Sequence, residues 1–128
     1  MKIRGLDHFV LTTANLEKCL AFYEKLLGFR AEKKDGRTAL FFGEQKINIH
    51  TKPAEFLPAA ACPLSGSLDL CFAAEGNVEE AYRELREKNA PLVSEIVSRH
   101  GARGDMKSIY LRDPDGNLVE LGFYAKQN

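Results

Sequence analysis

Short runs of apolar residues at period two alternate along the chain with two stretches near period 3.6, and the order of these patterns occurs twice. Residues 6–12 read as a strand. Asn15 then caps a helix in which Leu16, Cys19, Leu20, Tyr23 and Leu27 recur at helical spacing, with Glu17, Lys18, Glu24 and Lys25 on the wet side. Gly28 closes that helix, and strands follow at roughly 29–34, 38–43 and 46–52, with Asp35-Gly36 as a two-residue hairpin signal between the first two. Residues 53–65 hold Pro53, Pro58, Pro63 and an Ala-rich patch, which is linker chemistry. A strand at 66–74 comes next. Asn77 and Glu80 then open a second helix with the apolar stripe Val78, Ala81, Tyr82 and Leu85, ended by Asn89 and Pro91. The last strands fall at 92–98, 107–112 and 118–123.

Both halves therefore read βαβββ. The likeness extends to letters, Asn15-Leu16-Glu17-Lys18 against Asn77-Val78-Glu79-Glu80, each shortly after an apolar strand. The expected fold is α+β: a single domain over 1–128 made of two βαβββ modules, 6–52 and 66–124, joined by the 53–65 linker. The modules are expected to form a curved eight-stranded mixed sheet around a cleft, with helices outside. Between the last two strands, Asp113-Pro114-Asp115-Gly116 is a tight turn, because Pro presets φ and Gly accepts φ > 0.

Composition narrows the function classes. At 128 residues, 45% apolar and 28% charged, the chain is long enough to bury a core without staples. Lys+Arg and Asp+Glu are 18 each, so no net field recruits nucleic acid or anionic lipid. No apolar run approaches the roughly 20 residues that span a bilayer. The first residues pass directly into a strand holding Asp7 and His8, which is not a signal-peptide pattern. Cys19, Cys62 and Cys71 are an odd set without CxxC spacing, pointing to reduced thiols and a cytoplasmic location.

Candidate chemistry lies in polar residues on otherwise apolar strands. Pseudo-symmetry equates His8 with Asp69 in the first strands, and Asn48 or His50 with Glu120 in the fourth strands. His8 with Glu120 alone reads either as an ion pair or as part of a metal site; Asp69 and His50 at related positions favour the metal. Three ligands on rigid strands leave open coordination positions, where adjacent substrate oxygens can chelate. His50 is a ligand or a residue at a strand end. Asn48 hydrogen-bonds substrate or caps an edge. Cys71 shares the face of Asp69 and reads as a small hydrophobe rather than a nucleophile, since spacing gives it no basic partner. Residues 99–105, RHGARGD, look too long for a tight hairpin. They read as a mobile lid whose Arg103 and neighbours contact an anionic substrate, or as a solvated basic loop.

The Leu6-Asp7-His8 strand, the helix end Ala21-Phe22-Tyr23 with Leu27-Gly28-Phe29, and Ser108-Ile109-Tyr110 followed by residues 113–121 (DPDGNLVEL) together resemble the vicinal-oxygen-chelate superfamily. That superfamily comprises glyoxalase I, extradiol dioxygenases, fosfomycin-modifying transferases and bleomycin-binding proteins. Residues 45–50 (QKINIH) and 66–71 (GSLDLC) further resemble the glyoxalase-domain-containing protein five subfamily. The resemblance implies one divalent metal ion (Mn, Fe, Ni or Zn) on His8, Asp69 and Glu120, with His50 or Asn48 in the fourth position. Glu120 is also the candidate catalytic base. Asp69 stands where relatives usually carry His, which favours a harder ion over zinc. Ser108 and Tyr110 match substrate-contacting positions of fosfomycin-modifying relatives. The implied activity is a glyoxalase-like lyase or isomerase acting on a small, oxygen-rich, anionic substrate, in a homodimer. The alternatives are a metal-free module that sequesters a small molecule, or an Fe²⁺ dioxygenase.

Overall fold

The structure, a computed structural model, describes residues 1–125, and the chain divides into two units, Met1–Ser67 and a second beginning at Leu68. The first unit runs β1 (His8–Thr12), α1 (Leu16–Ala21), a π-helical continuation (Phe22–Leu26), β2 (Arg30–Lys34), β3 (Arg37–Phe42) and β4 (Gln45–His50). The second runs β5 (Asp69–Ala74), α2 (Val78–Glu87), β6 (Val97–Gly101), β7 (Gly104–Arg112) and β8 (Leu118–Tyr124). Each unit is thus βαβββ, and the eight strands fall into two four-stranded mixed sheets of the same topology. Their orders are β1-β4-β3-β2 and β5-β8-β7-β6. In each sheet the first and fourth strands pair in parallel and the remaining pairs are antiparallel.

Local chemistry explains the element ends. Asn15 accepts from the Lys18 N–H at 3.0 Å and Asn77 from the Glu80 N–H at 2.9 Å, so each helix starts on its predicted cap. At the end of the first helix, Gly28 takes φ +75°. The amides of Gly28 and Phe29 close back onto Glu24 and Tyr23, the signature of a left-handed C-terminal cap. Asp35 and Gly36 both have positive φ, as a type I′ hairpin between β2 and β3 requires.

Sheet alternation sorts the faces. In the first unit Leu11, Leu40, Ile47 and Ile49 are buried with Cys19, Phe22 and Tyr23. In the second, Phe72, Ile109, Leu111, Val119, Leu121 and Phe123 are buried with Val78 and Leu85 of α2. The opposite faces carry the polar strand residues.

The DPDG turn does more than reverse the chain. Asp113 Oδ1 accepts from the amides of Asp115 and Asn117, and its Oδ2 accepts from Asn117 Nδ2 at 2.8 Å. Asn117 Oδ1 in turn accepts from the Leu68 N–H at 2.9 Å, and the Leu118 amide donates to the Leu68 carbonyl. Asp113 and Asn117 are both buried, so this latch fixes β5 against β8 in one register.

The segment 99–105 departs from the sequence expectation. It is no loop: β6 continues to Gly101, β7 starts at Gly104, and Ala102-Arg103 is the whole turn. Gly104 at φ +124° supplies the backbone that makes so short a reversal possible. Residues 92–96 are correspondingly irregular, with Leu92 making one bridge to Leu111. Apolar alternation ends at Val97, while β6 pairing continues through Ser98, Arg99 and His100 on backbone hydrogen bonds that composition does not advertise.

Candidate functional site

In the second unit, five strand residues converge on Glu120. Register sets Cys71 directly beside it on one flank and Tyr110 on the other, with Asp69 two residues before Cys71 on the same face. Strand geometry puts the Asp69 and Glu120 Cα atoms about 8 Å apart on the diagonal. Ser108 Oγ donates to Glu120 Oε2 at 2.7 Å. Arg99 Nε donates to the Tyr110 hydroxyl at 3.0 Å, and its guanidinium lies 5.4 Å from the Tyr110 ring centroid. A cation, a phenol and a carboxylate therefore follow one another across the face. Burial raises the Tyr110 phenol above its usual range. The Arg99 hydrogen bond works against this, and the Glu120 carboxylate adds to the rise.

Cys71 is held as a thiol. Burial pushes it up to about 11 from an ordinary 9.0, with the Glu120 charge and its hydrogen bond reinforcing the shift. At pH 8 a thiol shifted from 9.0 to about 11 has roughly one-hundredth of the ordinary thiolate. Both thiols are exposed, so the contrast is one of ionisation: peptide mapping after iodoacetamide treatment is expected to show Cys62 labelled quickly and Cys71 some two orders of magnitude more slowly. Raising the pH from 9 to 11 should close most of that gap.

Gly122 completes the face. A Cβ built there would lie 2.5 Å from Met106 Sδ and 3.1 Å from Cys71 Sγ. Gly122→Ala is expected to cost about 1–3 kcal/mol through overpacking, since buried Met106 must move. Urea denaturation measures this directly, and Met106→Ala in the same chain should be markedly less than additive with it.

In the first unit, His8 Nδ1 lies 2.8 Å from Asp7 Oδ2. An ionised carboxylate only accepts, so Nδ1 is the donor in this contact, and in the neutral ring the lone pair then lies on Nε2. His8 pairs with Lys46 and Val10 with Asn48, which makes Asn48 a diagonal neighbour of His8 on the same face. His50 is placed elsewhere. It pairs with Thr12, roughly 13 Å along the strands from the His8 position. Its ring is buried edge-on against Phe56 at 5.2 Å, and its Nδ1 has no hydrogen-bond partner among the described residues. The register thus associates Asn48, and not His50, with His8.

Arg103, at the hairpin tip, lies 4.5 Å over the Tyr124 ring, and its amide donates to the Tyr124 hydroxyl. Arg99 is the arginine beside Tyr110. In the sequence Arg99 belongs to the 99–105 segment; alternation backwards from Tyr110 through Ser108 and Met106, folded over a two-residue turn, is the signal that puts it beside Tyr110. Nothing in the sequence marked Ser108 as fully enclosed (0% exposed).

Each unit offers donors that a divalent ion accepts: imidazole and amide in the first, two carboxylates in the second. Among the described residues Glu120 makes no ion pair, although it is half-buried, so its charge is met only by neutral hydrogen-bond donors. A carboxylate in that condition fits a cation. No three His, Cys, Asp or Glu side chains gather closely enough among the described residues to form a complete ligand set. No described helix is long and apolar enough to cross a membrane.

"Virulence protein STM3117" of Salmonella typhimurium is 44% identical over 126 residues, covering 98% of this chain and 88% of that protein. Its crystal structure matches with a TM-score of 0.94 at 43% identity, covering 98% of this chain and all of that one. "Glyoxalase domain-containing protein RDO1" of Mycosarcoma maydis is 44% identical over 124 residues, 97% of this chain and 70% of that protein. The crystal structure of lactoylglutathione lyase from Agrobacterium tumefaciens matches with a TM-score of 0.71 at 25% identity over 95% of both chains. A family model covers residues 5–121, from before β1 into β8, and on that match the chain belongs to the Glyoxalase/Bleomycin resistance protein/Dioxygenase superfamily.

Proposed function

We propose that this chain is a metal-dependent glyoxalase-like enzyme of the lyase or isomerase type, acting on a small, oxygen-rich, anionic substrate through its vicinal oxygens. The observation that carries the reading is Glu120, a half-buried strand carboxylate held by a hydroxyl and left without a cation among the described residues. Family membership and the similarity to a lactoylglutathione lyase support the reaction class. His8, Asp69 and Glu120 are the proposed ligands of one Mn, Fe, Ni or Zn ion. Asn48 suits the fourth position better than His50, because it shares a face with His8 at neighbouring register. Asp7 holds His8 in the tautomer whose Nε2 can donate its lone pair.

When bound, the ion supplies Lewis-acid polarisation of the substrate oxygens. The side chains do the rest. Arg99 spends one N–H on Tyr110 and one on the Ser98 carbonyl, leaving further N–H groups to grip a carboxylate or similar anion. The Tyr110 hydroxyl stands between that anion and Glu120. Glu120 would take a proton from one substrate carbon and return it to the neighbouring carbon. We read the protein as a homodimer working in the cytoplasm.

Metal analysis by mass spectrometry after reloading with Mn²⁺, Fe²⁺, Ni²⁺ or Zn²⁺ tests the reading, followed by assay of loaded protein on α-ketoaldehyde hemithioacetals, epoxides and catechols. About one retained ion per chain with turnover of a hemithioacetal is the expected result. Turnover of a catechol with O₂ would transfer the proposal to the dioxygenases. Absence of any tight ion would overturn it in favour of a metal-free sequestering module.

A further inference from the structure

On the sheet face opposite Asn48, a buried hydroxyl of the first unit has nothing to bond. Thr38 is only 8% exposed, yet its side chain makes no hydrogen bond among the described residues. Buried polar groups are almost always bonded, so an exception points to a partner from outside the chain. Register sets Lys33 of β2 and Ile49 of β4 on either side of Thr38, and Ile49 alternates with Asn48 along β4. Thr38 lines a cavity of about 490 Å³ with Lys33, Ile49, Leu16, Thr51 and Lys52. Thr38 is buried at its floor, whereas Lys33 and Lys52 are exposed at its mouth.

The segment after β4 forms the remaining wall, and it is anchored. Phe56 is held from two sides, by the Arg37 guanidinium 4.1 Å from its ring centroid and by the His50 ring at 5.2 Å. Glu55 is the carboxylate on this lining, and it is turned onto its own segment, where it accepts from the Thr51 amide and the Thr51 hydroxyl. Neither Lys33 nor Lys52 has a carboxylate within ion-pairing distance among the described residues. The cavity thus offers two ammonium groups and one free hydroxyl, and an ammonium group only donates, so the matching ligand is an anion rich in acceptors. A phosphate directs oxygens to several sides at once and can meet donors on β2, on β3 and on the segment after β4 together. The space exceeds one phosphate group, and Leu16 and Ile49 line it with apolar surface that suits a small organic body.

We propose that this cavity binds the phosphate group of a small organic ester, with Thr38 and Lys33 as its principal donors and Lys52 beside them. The site lies on the face opposite Asn48 and stands independently of the metal reading.

The full chain and its Thr38→Val, Lys33→Gln and Lys25→Gln variants would be titrated with phenyl phosphate and with inorganic phosphate. Binding is followed by amide NMR shifts and by thermal melts, against sodium chloride of equal ionic strength. Phenyl phosphate is expected to move the amide signals of Lys33, Thr38, Thr51 and Lys52 and to raise the melting temperature. Thr38→Val and Lys33→Gln should each weaken binding about tenfold or more, and Lys25→Gln, a surface charge away from the cavity, should leave it unchanged. Without phosphate, Thr38→Val should melt no lower than the wild type, because it removes no hydrogen bond within the chain. Tighter binding of phenyl phosphate than of inorganic phosphate supports an ester as the ligand; equal binding would overturn the ester and leave a site for free phosphate. Shifts matched by sodium chloride, or equal affinity in all four chains, would reveal charge screening only and overturn the site. A large loss of stability in phosphate-free Thr38→Val would overturn it too, since the hydroxyl would then have a partner within the chain.

Discussion

Glu120→Gln is expected to abolish metal retention: dialysed against metal-free buffer, the wild type keeps about one ion per chain and the variant none. The substitution preserves shape and an acceptor for the Ser108 hydroxyl, so the melting temperature of the metal-free protein should stay within about 2 °C of wild type. What disappears is the negative charge and its strong donor oxygen. Removal of a supporting partner alone costs about 10–100-fold in affinity, so loss of a proposed direct ligand should exceed that range. The same variant relieves one cause of the raised Cys71 thiol while leaving burial, the largest cause, in place. Cys71 alkylation should therefore quicken without reaching the rate of Cys62. A folded Glu120→Gln chain with wild-type metal content would count against Glu120 as a ligand.

Asn117→Ala should produce the largest loss of stability. Its side chain accepts from the Leu68 amide and donates to Asp113 Oδ2 in a buried setting, so truncation takes the acceptor from Leu68 and a donor from Asp113 at once. Depriving a buried polar group of its partner costs about 1–3 kcal/mol, so the two losses together cost about 2–6 kcal/mol. For a chain of this size that corresponds to a fall of roughly 8–20 °C in melting temperature. The defect is not confined to the turn. Since the latch registers β5 against β8, hydrogen exchange should quicken at the β5 amides near Leu68 and Asp69. Asp69 would then lose its fixed relation to Glu120. Asn117→Asp is a sharper probe: it retains the acceptor for Leu68 but sets a second acceptor against Asp113. A melt unchanged in both variants would show that the latch contributes nothing.

Much of this could be read along the chain. Both N-caps, the Asp35-Gly36 hairpin, the Gly28 cap and the DPDG turn depend on residues within six positions of one another, and each forms where local chemistry expects it. Glu120 beside Leu118 and Gly122 on one face of β8 follows from the period of two alone. The β6–β7 hairpin escaped because its strands are polar: Ser98, Arg99 and His100 have no apolar alternation, and their pairing is carried by backbone hydrogen bonds. His50 and Asn48 escaped for a different reason. Two residues apart on one strand, they share a face, and only the parallel register with β1 tells which of them stands near His8.

The sequence by itself determined the twofold βαβββ order, the family and the identities of the polar strand residues, because these are properties of spacing and local backbone preference. Tertiary structure decided which of those residues meet. The Asp113–Asn117 latch, the diagonal from Ser108 to Glu120 and the approach of Arg99 to Tyr110 span different strands or are closed by packing. Which side chains face each other across a sheet depends on register, and a shift of one residue would turn each of them to the other face.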